Sequence, residues 1–210
     1  MELPKFKQPI SREQIIANDP LGEFLVFWKD ICPPDVDSFE EKLNAAEDER
    51  DMQSYLEEHP LMLIQHLGGG HGRWVIPHQK LGVQFVTDFV IAEKSSIGFE
   101  WVAVELESPT VQLFTKKGDP SAALTHAIRQ VSDWRAWLKK NQNYAARSRS
   151  ESGLGLTDID SDLPGLIIIG RESSLNPATK ELRRQLGGDL KIKIHTYDWL
   201  VRMGRERVGV

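Results

Sequence analysis

The stretch WVAVELE, residues 101–107, alternates in the pattern of a sheet strand. Successive strand side chains point to opposite faces. We therefore predict one face formed by Trp101, Ala103, Glu105 and Glu107, and the other by Val102, Val104 and Leu106. Carboxylates two residues apart lie about 6.5 Å apart along a strand, close enough to share a cation and to repel each other without one. This segment therefore predicts both a strand and a candidate site.

The preceding candidate strand, residues 83–91, contributes a third acid, Asp88. If residues 92–98 form the hairpin loop, Asp88 lies opposite Ala103 and diagonal to Glu105, at about 7–8 Å between backbones. A slip of one residue would turn Asp88 to the opposite face. The predicted convergence of the acids depends on this register, and spacing alone leaves open that Asp88 and Glu107 are solvated strand-end residues.

A helix predicted over residues 122–140, capped by Ser121, presents one broad apolar stripe. Gln130 falls within that stripe, between Ala127 and Trp134, so we expect it to face the sheet. A buried amide without a hydrogen bond costs about 1–3 kcal/mol. Its partner is predicted to be a metal-bound carboxylate or a phosphate, with a backbone group as the alternative.

Carboxylate oxygens are the ligands that hard cations prefer, so the acidic residues predict Mg²⁺ or Mn²⁺. Such an ion polarises a phosphoryl oxygen and lowers the pKa of water during phosphodiester cleavage. The six histidines show no metal-ligand spacing on a single predicted face, which favours solvated or hydrogen-bonded roles for them. The single cysteine excludes an internal disulfide and a thiolate zinc site.

The pattern of the whole chain predicts a mixed α/β (α+β) fold with a central sheet flanked by helices, in the order α-β-β-β-α-β-α-β-α. We predict an N-terminal arm over residues 1–37 and one domain over residues 38–210. Besides the segments above, the domain is predicted to contain a helix at 39–58 capped by Ser38, a strand at 74–78, a long polar loop at 141–163, a strand at 166–169, a helix at 175–187, a strand at 190–195 and a helix at 197–205.

Composition indicates a folded globular protein, with 40% apolar and 27% charged residues. The net charge of −5 is unevenly distributed along the chain, because residues 1–110 have a net charge of −11 and residues 111–210 a net charge of +6. The acidic half suits cations and the basic half suits phosphate, although two differently solvated faces would give the same pattern. No apolar run approaches the roughly 20 residues of a membrane span and no signal peptide is visible, so we expect a cytoplasmic protein.

Several motifs together resemble one family. The series Asp88, Glu105-Leu106-Glu107 and Gln130 to Trp134 is similar to the D…(D/E)xK…QxxxY series of the PD-(D/E)xK nuclease superfamily, the restriction-endonuclease-like fold. Over residues 45–205 the surrounding sequence resembles the C-terminal nuclease domain of Shedu proteins, a family associated with bacterial defence against phage. The segments that carry this resemblance are YLEEHP at 55–60, TDFV at 87–90, WVAVELESP at 101–109, LF at 113–114, AIRQ at 127–130, GR at 170–171 and TYD at 196–198.

The resemblance implies a role for each matching position. Asp88, Glu105 and the carbonyl of Leu106 would bind the metal, with Gln130 supporting the metal or the DNA phosphate. An acid of the first helix would position the attacking water; Glu49 is our choice, with Glu57 and Glu58 as competitors. DNA is the implied partner, in a homo-oligomer.

Glu107 departs from the family pattern, because it stands where the superfamily has a lysine. A glutamate cannot neutralise developing negative charge, although it can bind a second ion or act as a general base. Lys80, Lys116 or Lys117 are open candidates for the missing charge. Three functions therefore remain. The first is a Mg²⁺- or Mn²⁺-dependent DNA endonuclease, the second a catalytically weakened nuclease-fold module that binds DNA or a partner protein, and the third a nonenzymatic assembly protein.

Overall fold

The structure is a computed structural model that describes residues 11–68 and 70–209. Residues 1–10 of the predicted arm and Gly69 lie outside the described residues. Six α-helices and seven strands are assigned there. The helices are α1 Arg12–Asn18, α2 Pro33–Ala45, α3 Glu49–Glu58, α4 Ala122–Ala146, α5 Pro177–Leu190 and α6 Tyr197–Val208. The strands are β1 Gly72–Pro77, β2 Lys80–Leu81, β3 Phe85–Val86, β4 Phe89–Ser95, β5 Gly98–Leu106, β6 Gly165–Ile168 and β7 Ile192–His195.

Five of the strands form one mixed sheet in the order β1-β4-β5-β6-β7. Strands β1, β4 and β5 pair antiparallel, whereas β6 and β7 run parallel to β5. The two short strands β2 and β3 form a separate hairpin between β1 and β4 along the chain. This is the predicted fold class, a mixed α/β arrangement with a central sheet flanked by helices, and it is compatible with an α+β nuclease-like core.

Each face of the sheet is covered by its own hydrophobic core. On one face α4 buries the stripe that contains Leu124, Ala127, Val131 and Trp134 against Trp101 and Ala103. On the other face α2, α3 and α6 pack on side chains that include Val104 and Leu106. The predicted alternation of strand β5 is therefore confirmed, because Trp101 and Ala103 lie in one core and Val104 and Leu106 in the other.

The hairpin between β4 and β5 differs from the prediction. The turn contains only two residues, 96–97, because Ser95 pairs with Gly98. The predicted loop at 92–98 was wrong, and Phe89 pairs with Val104, which moves the register by two residues. A shift of two keeps every side chain on its predicted face. Asp88, immediately before β4, thus lies next to Glu105 and not opposite Ala103.

The single helix predicted at 39–58 was also wrong, since α2 and α3 are two helices. Asp48 caps α3 by accepting a hydrogen bond from the Asp51 amide, and the Asp51 carboxylate accepts one from the Glu47 amide. These local bonds satisfy the amides of a new helix start. Helix α2 begins at Pro33 after the N-cap Cys32, so Ser38 lies inside it and is not a cap. The predicted boundary between residues 37 and 38 therefore falls within α2.

The predicted polar loop at 141–163 is partly helical. Helix α4 continues to Ala146 across a kink at Asn141. Beyond it, Leu156, Ile159 and Leu163 are buried in the core under α4. Polar composition concealed these spaced apolar residues. In the described part of the chain, no helix combines the length and hydropathy that crossing a bilayer requires.

The α4 stripe should dominate stability. Trp134 is fully buried, so Trp134→Ala should lower the free energy of unfolding by about 3–5 kcal/mol through lost burial and cavity formation. Urea unfolding followed by circular dichroism measures the change. The exposed Lys139→Ala on the same helix should stay within about 0.5 kcal/mol of the wild type. Equal losses in the two variants would contradict the proposed packing of α4.

Candidate metal centre

The candidate site lies at one end of the central sheet, where β5 ends and β4 begins. Because the two strands are antiparallel, Asp88 before β4 and Glu105 near the end of β5 reach the same edge. Glu107 follows β5 directly, and Glu49 is the first residue of α3. The four acids therefore come from three segments that are distant in sequence.

Glu105 is the most deeply buried of these acids, with 3% of its surface exposed. Its Oε1 accepts a hydrogen bond from Nε2 of Gln130. Its Oε2 is buried and has no hydrogen-bond partner within the described residues. Burial, followed by the charges of Asp88 and Glu107, raises the pKa of Glu105 to about 10. An unpartnered carboxylate oxygen of this kind lacks the positive charge that its burial requires.

Gln130 faces the sheet, as its position in the α4 stripe predicted, and its partner is the carboxylate of Glu105. The prediction of a hydrogen-bonded inward amide is thus confirmed. Its further role toward a metal or a phosphate stays a prediction.

Asp88 is held by the main chain of β5. Its Oδ2 accepts a hydrogen bond of 2.7 Å from the Leu106 amide. Burial raises the pKa of Asp88, and this amide bond opposes the rise. The side chain of Leu106 is buried in the core on the other face of the sheet, so only its main chain is available to the site. The predicted roles of Asp88 and of the Leu106 carbonyl as metal ligands remain predictions.

Glu107 is paired with a residue that the sequence did not single out. Nδ1 of His126, on α4, lies 3.1 Å from Oε1 of Glu107. Glu105, Glu107 and His126 each offer one ligand atom, and these atoms lie within 4.8 Å of one another. The interpretation of His126 as a solvated or hydrogen-bonded histidine therefore covers its contact with Glu107 but not its place in a candidate metal group. Its spacing of four residues from Gln130 on the same helix was the available signal, because such residues share a face.

Tyr197, the first residue of α6, is a second residue whose contact the sequence did not indicate. It is completely buried, and its hydroxyl donates a 3.0 Å hydrogen bond to the main-chain oxygen of Glu107. The bond anchors the chain immediately after β5. Tyr197 is therefore a positioning residue for Glu107.

Of the three acids considered for positioning the attacking water, Glu49 is influenced by two acids of the candidate site. Burial, followed by the charges of Asp88 and Glu107, raises its pKa to about 7. Oε1 of the competitor Glu57 lies 2.7 Å from Nε2 of His78, and the charge of Glu57 also acts on Asp88. Glu58 is exposed on α3. Partial burial and the influence of both Asp88 and Glu107 favour Glu49 over the two alternatives, and its catalytic role stays a prediction.

Two histidines lie beside these carboxylates. His126 acts on Glu49 and Glu107, and His78 acts on Asp88. The three lysines considered as substitutes, Lys80, Lys116 and Lys117, are exposed. In the described residues, none of the three forms an ion pair with the four acids.

The mixed sheet and the group of Glu105, Glu107 and His126 are compatible with a metal-dependent enzyme. A family model described as "Shedu protein SduA, C-terminal" matches residues 46–201. The chain belongs to this family, as the resemblance at residues 45–205 implied. A comparison with curated proteins gave no significant match.

The acidic group should make stability depend on pH. Both Glu49 and Glu105 have folded-state pKa values above their usual 4.5, so the folded state binds more protons than the unfolded state. The contribution of these two carboxylates to stability should therefore be full below pH about 4.5 and fall as pH rises through the folded values, over about pH 5–10. Melting temperatures without divalent ions, measured across this range, test the slope.

Glu105→Gln should remove much of this penalty. At pH 7 and without metal, keeping a proton on Glu105 costs about 3 kcal/mol relative to the unfolded chain. The variant should therefore be more stable by about 1–3 kcal/mol, which corresponds to roughly 2–4 °C per kcal/mol. The exposed Glu41→Gln should follow the wild type at every pH. Equal pH slopes in Glu105→Gln and wild type would refute this account of the buried carboxylate.

Proposed function

We propose that the protein is a divalent-metal-dependent DNA endonuclease that hydrolyses phosphodiester bonds in defence against phage. One observation carries the proposal: Oε2 of the buried Glu105 has no partner among the described residues, and it lies among further acids and His126. A divalent cation supplies the charge that this oxygen lacks. Membership of the SduA C-terminal family supports the same assignment.

The residues present fit a divalent cation. Glu105, Glu107 and His126 would hold it, with Asp88 and the carbonyl of Leu106 as further candidate ligands. When bound, Mg²⁺ or Mn²⁺ polarises a phosphoryl oxygen, lowers the pKa of water and stabilises the leaving oxygen.

The chain's own residues prepare the site for that chemistry. Gln130 fixes one oxygen of Glu105 and leaves the other available. The Leu106 amide orients Asp88, and Tyr197 holds the main chain at Glu107. Glu49, a half-buried carboxylate at the start of α3, would accept a proton from the attacking water. These contacts fix the ligands before substrate binds, which is the requirement for a catalytic site.

Glu107 favours one alternative, in which the fold is retained as a catalytically weakened module that binds DNA or a partner. No positive charge stands at the position of the superfamily lysine, although His126 lies 3.1 Å from Glu107. The two functions differ in their need for metal, because a module without chemistry does not require an ion. Calorimetric titration with Mg²⁺ and Mn²⁺ distinguishes them. We further propose that the active form is a homo-oligomer, which light scattering tests.

Plasmid nicking tests the proposed reaction. With Mg²⁺ or Mn²⁺ the purified protein should nick supercoiled DNA, and Glu105→Gln and Asp88→Asn should each lower the rate by about 100-fold or more, because each removes a charge from the centre. Glu41→Gln is the matched control, since it removes an exposed carboxylate from α2 and should retain full activity. Nicking by Glu105→Gln at the wild-type rate would rule out this centre.

His126 should set the choice of metal. An imidazole ligand favours Mn²⁺ over Mg²⁺, which prefers oxygen ligands. Mn²⁺ should therefore raise the melting temperature of the wild type at lower concentration than Mg²⁺, and His126→Ala should weaken Mn²⁺ binding by about tenfold while changing Mg²⁺ binding less. Arg129→Ala, an exposed neighbour on α4, should change neither. Equal loss of both ions in His126→Ala would exclude a ligand role for the imidazole.

A further inference from the structure

A cavity lies away from the acidic centre. It has a volume of about 590 Å³ and lies between α5 and strands β5, β6 and β7. Its floor includes Val102 and Leu166, whose side chains belong to the sheet face covered by α2, α3 and α6. Trp101, Ile192 and Ile194 line it from the other face. None of the acids of the candidate metal centre lines this cleft, so the two sites are separate.

One wall of the cleft carries unsatisfied positive charge. Arg183 on α5 and Lys193 on β7 have no ion pair and no side-chain hydrogen bond within the described residues. Two other cations of the wall are already engaged, Arg184 by Glu181 and Lys191 by Asp162. Arg183 is half-buried, and this burial lowers the pKa of its guanidinium. An unpaired, partly buried guanidinium gains a favourable partner when an anion binds.

The opposite end of the cleft is acidic. Glu93 on β4 and Glu100 on β5 are direct partners in the antiparallel register, and both line the cleft. Like charges directly opposite each other destabilise a sheet. Neither carboxylate has a side-chain hydrogen bond or ion pair within the part of the chain that the structure describes. A ligand with hydrogen-bond donors at this end would relieve the repulsion.

Between these ends the cleft borders flat aromatic rings. His195 stacks on Trp199 at 3.8 Å between ring centres, and His66 lies 4.8 Å from the same indole. Burial is the main cause that lowers the pKa of His195 to about 3 and of His66 to about 4. Both imidazoles are therefore uncharged at neutral pH, and both line the cleft. Uncharged rings offer surfaces on which a nucleobase can stack.

We propose that this cleft binds a free nucleotide, with its phosphate at Arg183 and Lys193 and its sugar hydroxyls or base amino group at Glu100 and Glu93. Lys193 on β7 is level with Val104 of β5, so its main chain lies about 16 Å from that of Glu100, and the long lysine and glutamate side chains leave a gap that one nucleotide bridges. The volume is that of a small-ligand site. An anion without hydrogen-bond donors would leave Glu93 and Glu100 repelling each other. An apolar ligand would leave the charged side chains at both ends of the cleft without partners.

Calorimetry with single ligands tests this assignment. The protein in EDTA is titrated with AMP, GMP, CMP and UMP, with the corresponding nucleosides and with inorganic phosphate. At least one nucleotide should bind, at least tenfold more tightly than phosphate or its own nucleoside. Using Glu105→Gln in parallel excludes binding at the metal centre, so this result and the nicking result are independent of each other.

Substitutions then locate the ligand. Arg183→Gln and Lys193→Gln should each weaken nucleotide binding at least tenfold, and Glu100→Gln should weaken nucleotide binding without changing phosphate binding. Lys180→Gln is the matched control, because Lys180 lies on the same helix and pairs with Glu172 outside the cleft. Circular dichroism melting confirms that each variant is folded.

Three results would overturn the proposal. The first is the absence of binding by all four nucleotides, and the second is equal affinity for phosphate and nucleotide, which would make the cleft a simple anion site. The third is a dimer in light scattering that Lys193→Glu converts to a monomer, because a second copy of the chain would then cover the cleft.

Discussion

The burial of the Glu105 carboxylate is the constraint on which the rest of the candidate site depends. A buried acid with an unpartnered oxygen is costly, and the surrounding elements are arranged so that it is tolerated. The α4 stripe around Trp134 fixes the helix on the sheet, which places the Gln130 amide against one oxygen of Glu105 and the His126 ring against Glu107. Packing of an apolar helix face thereby determines the polar chemistry at the end of the sheet.

The sheet topology determines which acids meet. Strand β5 is antiparallel to β4, so its carboxyl end lies beside the start of β4. Glu49, in the first turn of α3, lies close enough for Asp88 and Glu107 to act on it. Asp88, Glu105, Glu107 and Glu49 gather there. Burial is the main cause that raises the pKa of each, and the charges of neighbouring acids raise the pKa values of Glu49, Glu105 and Glu107 further. Stability is given up to concentrate negative charge, a compromise typical of functional sites.

The sequence predicted correctly those features that depend only on the repeat of apolar residues along a strand or a helix. Alternation in residues 101–107 assigned both faces of β5, and the stripe of α4 turned Gln130 inward. The prediction was wrong where a short turn or a capping residue overrides that repeat. The register of Asp88 moved by two residues because the hairpin turn is short, and the helix predicted at 39–58 was divided by the Asp48 cap. His126 was missed because the apolar repeat of α4 does not show that the side of the helix with His126 lies close to the end of β5.

The sequence by itself determined the class of fold, the family and the side of the sheet on which each acid of β5 lies. These features depend on sequence motifs and on the repeat of residues along strands and helices, which are local properties of the chain. The tertiary structure decided the partners: His126 for Glu107, the Leu106 amide for Asp88 and the Tyr197 hydroxyl for the end of β5. It alone revealed the cleft beside α5. These contacts join residues that are 18 to 90 positions apart, and a separation of that size is set by how helices pack on the sheet, which no local pattern encodes.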